Sequence, residues 1–126
     1  MKAKRNLLAA SLAAVTLLST VAVSAATWTT DTVSGTSFKS TLKQYGEGTR
    51  YLHARGISGT GKIDMYTVDP WSPDDLAATV NTKVAVNTQD VWYSKAKAPN
   101  GSGQSYYYVW SGSNSSASSN MRVSDY

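Results

Sequence analysis

The sequence predicts an all-β protein, an antiparallel β-sandwich of seven or eight strands. Beyond residue 26 the chain is rich in Thr, Val, Tyr and Trp, which favour extended backbone. Clusters of Gly, Asn or Ser recur at intervals of roughly ten residues, which is the spacing of turns between short strands. No internal repeat is present, and a small β-barrel is the alternative arrangement.

Residues 1–26 have the pattern of a secretory signal peptide. Three basic residues precede an apolar stretch from Leu7 to Val23, and small residues allow cleavage after Ala26 or, nearly as well, after Ala25. An uncleaved anchor fits less well, because the apolar stretch is short for a bilayer span. We therefore expect one β-sandwich domain over 27–126, secreted to the extracellular space, with no stable membrane insertion after cleavage.

Charge and cysteine content narrow the classes of partner. Three of the 12 Lys and Arg residues lie in the signal segment, which leaves nine against 8 Asp and Glu. A balance this even gives no field that would steer a polyanion, and we expect no nucleic-acid partner. The chain has no Cys, so a lipid-anchored form and a disulfide framework are both excluded.

The strands are expected in a regular order along the chain. Alternation of apolar and polar residues is clearest around Leu52 and Ala54, with Tyr51, His53 and Arg55 on the opposite face. Loops are expected at 56–61 and 112–120, because both stretches are rich in Gly and Ser. The predicted strands cover 28–33, 38–43, 49–55, 62–68, 79–87, 90–97, 104–111 and 121–123.

One short segment, DPWSPDDLAA from Asp69 to Ala78, departs from the strand pattern. Ser72 is a suitable N-cap, Pro73 suits the first helical position, and acidic residues follow in the first turn. The β-branched residues that come next disfavour a longer helix. The segment therefore predicts one helical turn near 73–77.

No motif in the chain predicts catalysis or a cofactor. Gly56 to Lys62 has the spacing of a phosphate-binding loop, but Ile63 stands where Ser or Thr would hold the metal ion. His53 is the one histidine and has no visible catalytic partner, and Glu47 lies between two glycines. Asp69, Asp74 and Asp75 are a weak pattern for Ca²⁺, which the helix start explains without a metal. We predict no catalytic residue, no metal site and no cofactor.

The stretch DVWYSKAKAPNGSGQSYYYVW, from Asp90 to Trp110, carries the densest group of aromatic residues. Alternation places one set inward and the other outward. Ordinary cross-strand pairing accounts for the outer tyrosines, but beside lysines they also suit stacking on sugar rings or contact with an anionic polymer. The predicted inner set is Trp92, Tyr106, Tyr108 and Trp110, and the outer set, which is the candidate ligand-binding site, is Tyr93, Lys95, Lys97 and Tyr107.

The layout resembles small secreted β-sandwich proteins of Gram-positive bacteria, most of them uncharacterised. The segments TW at Thr27, VWYSKAKA from Val91 and SYYYVW from Ser105 are also similar to lactococcin 972-type bacteriocins. This chain differs from that family in its length, in its extension past Trp110 and in its middle segment, so no functional residue is carried over. The residues alone favour a non-catalytic extracellular or cell-envelope binding module with a cell-wall or glycan partner. The resemblance implies the alternative, a bacteriocin-like protein acting on cell-wall precursors of related bacteria. The oligomeric state is not indicated.

Overall fold

A computed structural model describes residues 26–97 and 102–126, and in the described part the ordered elements are strands alone. The predicted signal peptide lies almost wholly outside the described residues. Within those residues no helix has the length and apolar character that a membrane crossing requires. The strands are β1 Thr27–Ser34, β2 Ser37–Lys39, β3 Lys43–Gln44, β4 Gly48–Ser58, β5 Gly61–Thr67, β6 Asp75–Thr82, β7 Asn87–Ser94, β8 Ala96–Lys97, β9 Ser102–Gly103, β10 Ser105–Gly112 and β11 Ser118–Ser124.

The strands form two packed antiparallel sheets, which confirms the predicted β-sandwich. Sheet I has the order β2-β10-β5-β6, with the short β3 also paired to β10. Sheet II has the order β1-β11-β4-β7, and β8 and β9 pair separately with each other. The two aromatic strands predicted within Asp90 to Trp110, which are β7 and β10, therefore belong to opposite sheets.

The core between the sheets is formed by the inward-facing residues of both. The predicted inner set, Trp92, Tyr106, Tyr108 and Trp110, is buried as expected. Tyr45, which lies between two predicted strands, joins this core and packs against the rings of Trp92 and Tyr106, each with a centroid separation of 5.8 Å. Aromatic rings thus fill the core between the sheets. A chain without disulfides depends on the large apolar area that such rings bury.

Trp110 is the largest fully buried side chain, and Gly61 makes room for it. Its indole nitrogen donates a hydrogen bond of 2.8 Å to the Gly35 carbonyl oxygen. A Cβ placed on Gly61 would lie 2.1 Å from the indole ring, so no other residue fits at this point of β5. Gly61 is therefore required by packing.

The predicted loop at 56–61 is wrong. Strand β4 continues to Ser58 and β5 begins at Gly61, so a tight turn that carries the chain from sheet II to sheet I replaces the loop. Gly59 takes a φ of +62° in that turn, a conformation that glycine adopts without strain. The glycines that suggested a flexible loop serve the turn and the packing of Trp110.

The predicted helical turn near 73–77 is also wrong, because β6 begins at Asp75. The Asp69 carboxylate accepts hydrogen bonds from the Trp71 main-chain nitrogen at 3.0 Å and from the Ser72 hydroxyl at 2.6 Å. The Asp74 carboxylate in turn accepts one from the Asp69 nitrogen at 3.0 Å. Side-chain to main-chain bonds of this kind compete with helix formation. We refer to residues 69–74 as the Trp71 loop.

Two further boundaries differ from the prediction. Strand β2 ends at Lys39 and does not reach residue 43 as predicted, and Leu42 is 60% exposed. At the other end, β11 begins at Ser118, inside the predicted polar loop. Ser119 is buried there, and its hydroxyl donates to the Arg55 carbonyl oxygen at 3.0 Å. A buried serine whose hydroxyl is hydrogen-bonded can lie in a strand, even in a segment whose composition predicts a loop.

Candidate functional site

The predicted ligand-binding residues do not form one surface. Tyr93 points outward from β7 in sheet II, and Tyr107 points outward from β10 in sheet I. The outward orientation of both rings agrees with the sequence prediction. The two rings lie on opposite faces of the sandwich, so the prediction of one ligand-binding site that contains both tyrosines is wrong.

Tyr93 and its neighbours make a sparse surface on sheet II. The Tyr93 ring is 56% exposed, and its hydroxyl donates a hydrogen bond of 3.2 Å to the Glu47 carboxylate, which raises the pKa of the phenol. Lys95 is exposed, while the side chain of Lys97 lies outside the described residues. The ligand-binding role of these three residues stays a prediction.

Tyr107 is enclosed by its neighbours on the outer face of sheet I. Its ring stacks on Tyr66 of β5, with centroids 5.4 Å apart and planes 20° from parallel. The Lys39 ammonium lies 4.4 Å from the Tyr107 ring centre, and β2 and β5 flank β10 on opposite sides. The faces of this ring are therefore occupied, and Tyr107 is poorly placed to stack on a ligand.

The Tyr107 hydroxyl instead holds the Trp71 loop against the sheet. It donates a hydrogen bond of 2.8 Å to the Asp74 carboxylate. Hydrogen bonds from the Asp69 nitrogen and from Tyr107 lower the pKa of Asp74, and the Ser72 hydroxyl and Trp71 nitrogen lower the pKa of Asp69. Both carboxylates therefore stay ionised within the loop at neutral pH.

Trp71 stands at the tip of this loop with 93% of its surface exposed. Pro70 precedes Trp71, and the Asp69 carboxylate holds its main-chain nitrogen, so a large ring stands in water on a fixed support. Leu76, at the start of β6, adds a second exposed apolar side chain and pairs across the sheet with Tyr66. We refer to Trp71, Leu76, Tyr66 and the loop carboxylates as the Trp71 platform.

The outer face of sheet II has a different character. It carries an open depression of about 680 Å³, lined by cationic and amide side chains. Strands β4, β7 and β11 supply them, because outward-facing positions on neighbouring strands fall beside one another. We call it the sheet II depression, and its polar lining includes His53, Arg55, Asn87, Gln89, Asn120 and Arg122.

His53 lies on the outer face, as its alternation with Leu52 predicted, and it has a partner that the sequence did not indicate. Its Nε2 atom lies 2.6 Å from the main-chain oxygen of Tyr126. Its ring also stacks on Tyr51, with centroids 6.1 Å apart. Within residues 26–97 and 102–126, no group of three or more His, Cys, Asp or Glu side chains is placed to hold a metal ion.

Sequence reasoning missed both Trp71 and the sheet II depression. Trp71 lay within a segment interpreted as a helix start, and its flanking prolines and aspartates were the available signal for a rigid exposed loop. Arg55 and Arg122 are far apart in the sequence and meet only through the pairing of β4 with β11.

No protein-family model matches the chain, and no curated protein matches it in sequence. Its function is accordingly inferred from its own side chains and their geometry.

Proposed function

We propose that this protein is a secreted, non-catalytic binding module of the cell envelope that contacts a carbohydrate through the Trp71 platform. The observation that carries the proposal is the almost complete exposure of Trp71 on a loop fixed by hydrogen bonds. A support that is ordered before binding lowers the entropy cost of capturing a ligand. The signal-peptide pattern of residues 1–26 supports an extracellular location.

The chemistry of the platform favours a sugar over other ligands. An indole face offers a flat apolar surface to the C–H face of a pyranose ring, and ionised carboxylates accept hydrogen bonds from sugar hydroxyls. Asp69 and Asp74 bring two such carboxylates within three residues of Trp71. The same two charges oppose docking on an anionic bilayer, because the platform would approach a surface of like charge.

Substitution of Trp71 tests the proposal directly. We expect Trp71→Ala to weaken binding to isolated cell walls and soluble glycans by about tenfold or more, which corresponds to about 1.4 kcal/mol. Because the indole is exposed, the melting temperature should stay unchanged. Val91→Ala is the control, since it removes an exposed apolar side chain from the opposite sheet and should leave binding intact. Retained binding in Trp71→Ala, or binding to lipid vesicles in place of glycans, would contradict the proposal.

A bacteriocin-like activity is the second candidate. The observation that favours it is the two-sheet sandwich, which is the fold implied by the resemblance to lactococcin 972-type proteins. Such a protein must inhibit growth of related strains at low concentration, and a binding module need not. Clear zones on lawns of Gram-positive bacteria would support this function, and their absence across a panel would count against it.

Mass spectrometry of the culture medium would show whether the chain begins at Ala26 or Thr27, as secretion requires.

A further inference from the structure

The sheet II depression brings two arginines and a histidine to one place by strand pairing. His53 is opposite Arg122 in the register of β4 and β11, and Arg55 is opposite Asn120. Arg55 and Arg122 are therefore diagonal neighbours, a relationship in which side chains start roughly 7–8 Å apart. Arginine side chains are long enough for the two guanidinium groups to reach a single ligand group between them.

Among the described residues, neither arginine forms an ion pair with an Asp or Glu side chain. The ion pairs in the described part of the chain are Arg50 with Asp125 and Lys62 with Asp64. The lining of the depression contains no Asp or Glu. Sheet II does carry Asp31 and Asp90, but Asp31 accepts a hydrogen bond from the buried Tyr108 and Asp90 accepts one from the Thr79 nitrogen in sheet I. No Asp or Glu side chain therefore lies in the lining beside the two arginines.

Arg122 also has hydrogen-bonding capacity that the protein does not use. Its Nε atom is buried and has no acceptor, and the group's contact is with the Tyr126 ring, 5.1 Å from the guanidinium carbon. Arg55 donates one hydrogen bond of 3.2 Å, to the Asn87 side-chain oxygen. A buried donor without an acceptor is rare in folded proteins and marks a place where an external acceptor would be favourable.

The depression already holds an oxygen atom beside this cluster. The main-chain oxygen of Tyr126 lies 2.6 Å from His53 Nε2 and accepts a hydrogen bond of 2.6 Å from the Ser124 hydroxyl. The His53 ring is therefore directed toward an oxygen atom at the edge of the arginine cluster. The amide groups of Asn87, Gln89 and Asn120 surround the cations with neutral donors and acceptors.

We propose that the sheet II depression binds an oxyanion, a phosphate or carboxylate group carried on a hydroxyl-rich sugar or polyol chain. Guanidinium groups bind both oxyanions through paired N–H donors, and the surrounding amides suit the hydroxyls of the chain. This site goes beyond the proposed function, because it lies on the sheet opposite the Trp71 platform and takes a charged ligand. Each site can be lost without loss of the other.

A pair of charge-matched double variants tests the site. The purified protein is titrated calorimetrically with a glycerol phosphate oligomer, with oligogalacturonate and with a neutral dextran oligomer. We expect Arg55→Gln with Arg122→Gln to weaken binding of the preferred polyanion by about tenfold. Lys39→Gln with Lys62→Gln removes the same charge from the outer face of sheet I and should change affinity by less than about threefold. The two polyanions distinguish a phosphate ligand from a carboxylate ligand.

A second measurement needs no variant. The Nε–H resonance of Arg122 in the nuclear magnetic resonance spectrum should shift on addition of the polyanion that binds, and stay unchanged with dextran. Equal weakening in both double variants would reduce the interaction to general charge attraction and overturn the proposal. Failure of both polyanions to bind, or binding with no response at Arg122, would overturn it as well. A loss of carbohydrate binding in Trp71→Ala bears on the other site alone.

Discussion

The Tyr107 hydroxyl and the Asp74 carboxylate are joined by a hydrogen bond of 2.8 Å that connects β10 of sheet I to the Trp71 loop. Asp74 passes the connection on, because its other oxygen accepts from the Asp69 nitrogen, and Asp69 in turn accepts from Trp71. A ring that sequence analysis offered as a ligand contact therefore acts as a positioning residue. The order of the Trp71 loop depends on two carboxylates that must stay ionised.

This dependence gives an acid-sensitive loop. The pKa values of Asp69 and Asp74 are lowered below the ordinary 3.8 by the hydrogen bonds they accept. A depressed carboxyl pKa stabilises the ordered loop above the ordinary pKa, and that contribution is lost as the pH falls below it. We expect the Trp71 fluorescence to report loosening of the loop under these acidic conditions, before the core unfolds.

Replacing Asp74 with Asn tests whether the acid response comes from the loop carboxylates. Asp74→Asn keeps the shape of the side chain but removes the charge that protonation removes, so its loop signal should be less dependent on pH. Glu47→Gln is the matched control, because it removes a carboxylate that contacts Tyr93 on the other sheet. The same acid transition in Asp74→Asn and in the parent protein would contradict this account.

Alternation along single strands could be predicted from the sequence, and it was correct for the strands with the largest side chains. Trp92 and Trp110 face inward and Tyr93 faces outward, because a buried ring and an exposed ring at adjacent positions require this pleat. The strand bounds of β5 and β10 were also close to those predicted. These features depend on contacts local to one strand.

The candidate sites could not be predicted because they depend on pairing between distant strands. Nothing in the Arg55 segment indicates that Arg122 will pair beside it, and nothing in Asp90 to Trp110 shows that β7 and β10 enter different sheets. The helical turn predicted near 73–77 was wrong for another reason. Ser72, Pro73 and Asp74 satisfy the local rules for a helix start, but the aspartates bind main-chain groups of the loop and β6 pairs with β5.

Burial of Tyr45 predicts a loss of stability in alkaline solution. Burial raises the pKa of Tyr45 from 10.0 to about 12, whereas in the unfolded chain the phenol ionises near the ordinary value. The stabilising contribution is complete below the unfolded pKa and is lost as the pH rises through the folded pKa. Burial and the Asp31 carboxylate raise the pKa of Tyr108 in the same direction.

Urea unfolding across this alkaline range measures the effect. We expect the free energy of unfolding to fall as the pH rises from 10.0 toward 12, and the late fraction of tyrosinate absorbance to appear together with unfolding. Tyr45→Phe should reduce the slope, and Tyr51→Phe, which changes a partly exposed ring, should not. Ionisation of all tyrosines in a still-folded protein would contradict the prediction.

The packing of the two sheets predicts how much stability is lost when each of three aromatic residues is replaced with Ala. Trp92 packs against Tyr45 and Tyr106 in the core, and Trp110 is fully buried between the sheets. Replacing either tryptophan with Ala should lower the free energy of unfolding by about 3–5 kcal/mol, a large share of the total for a domain of this size. Tyr93→Ala should cost less than about 1 kcal/mol, because it loses only cross-strand contacts and an exposed hydrogen bond.

Chemical denaturation of the three single variants would separate the inner face of β7 from its outer face. Trp92 and Tyr93 are adjacent in the sequence, so a one-residue change of register would exchange their environments. A large loss of stability in Tyr93→Ala with a small loss in Trp92→Ala would show that the faces of β7 are reversed. The pairing of Trp92 with Arg50 and of Tyr93 with Thr49 in the β4 register requires the opposite order, since Arg50 is buried and Thr49 is exposed.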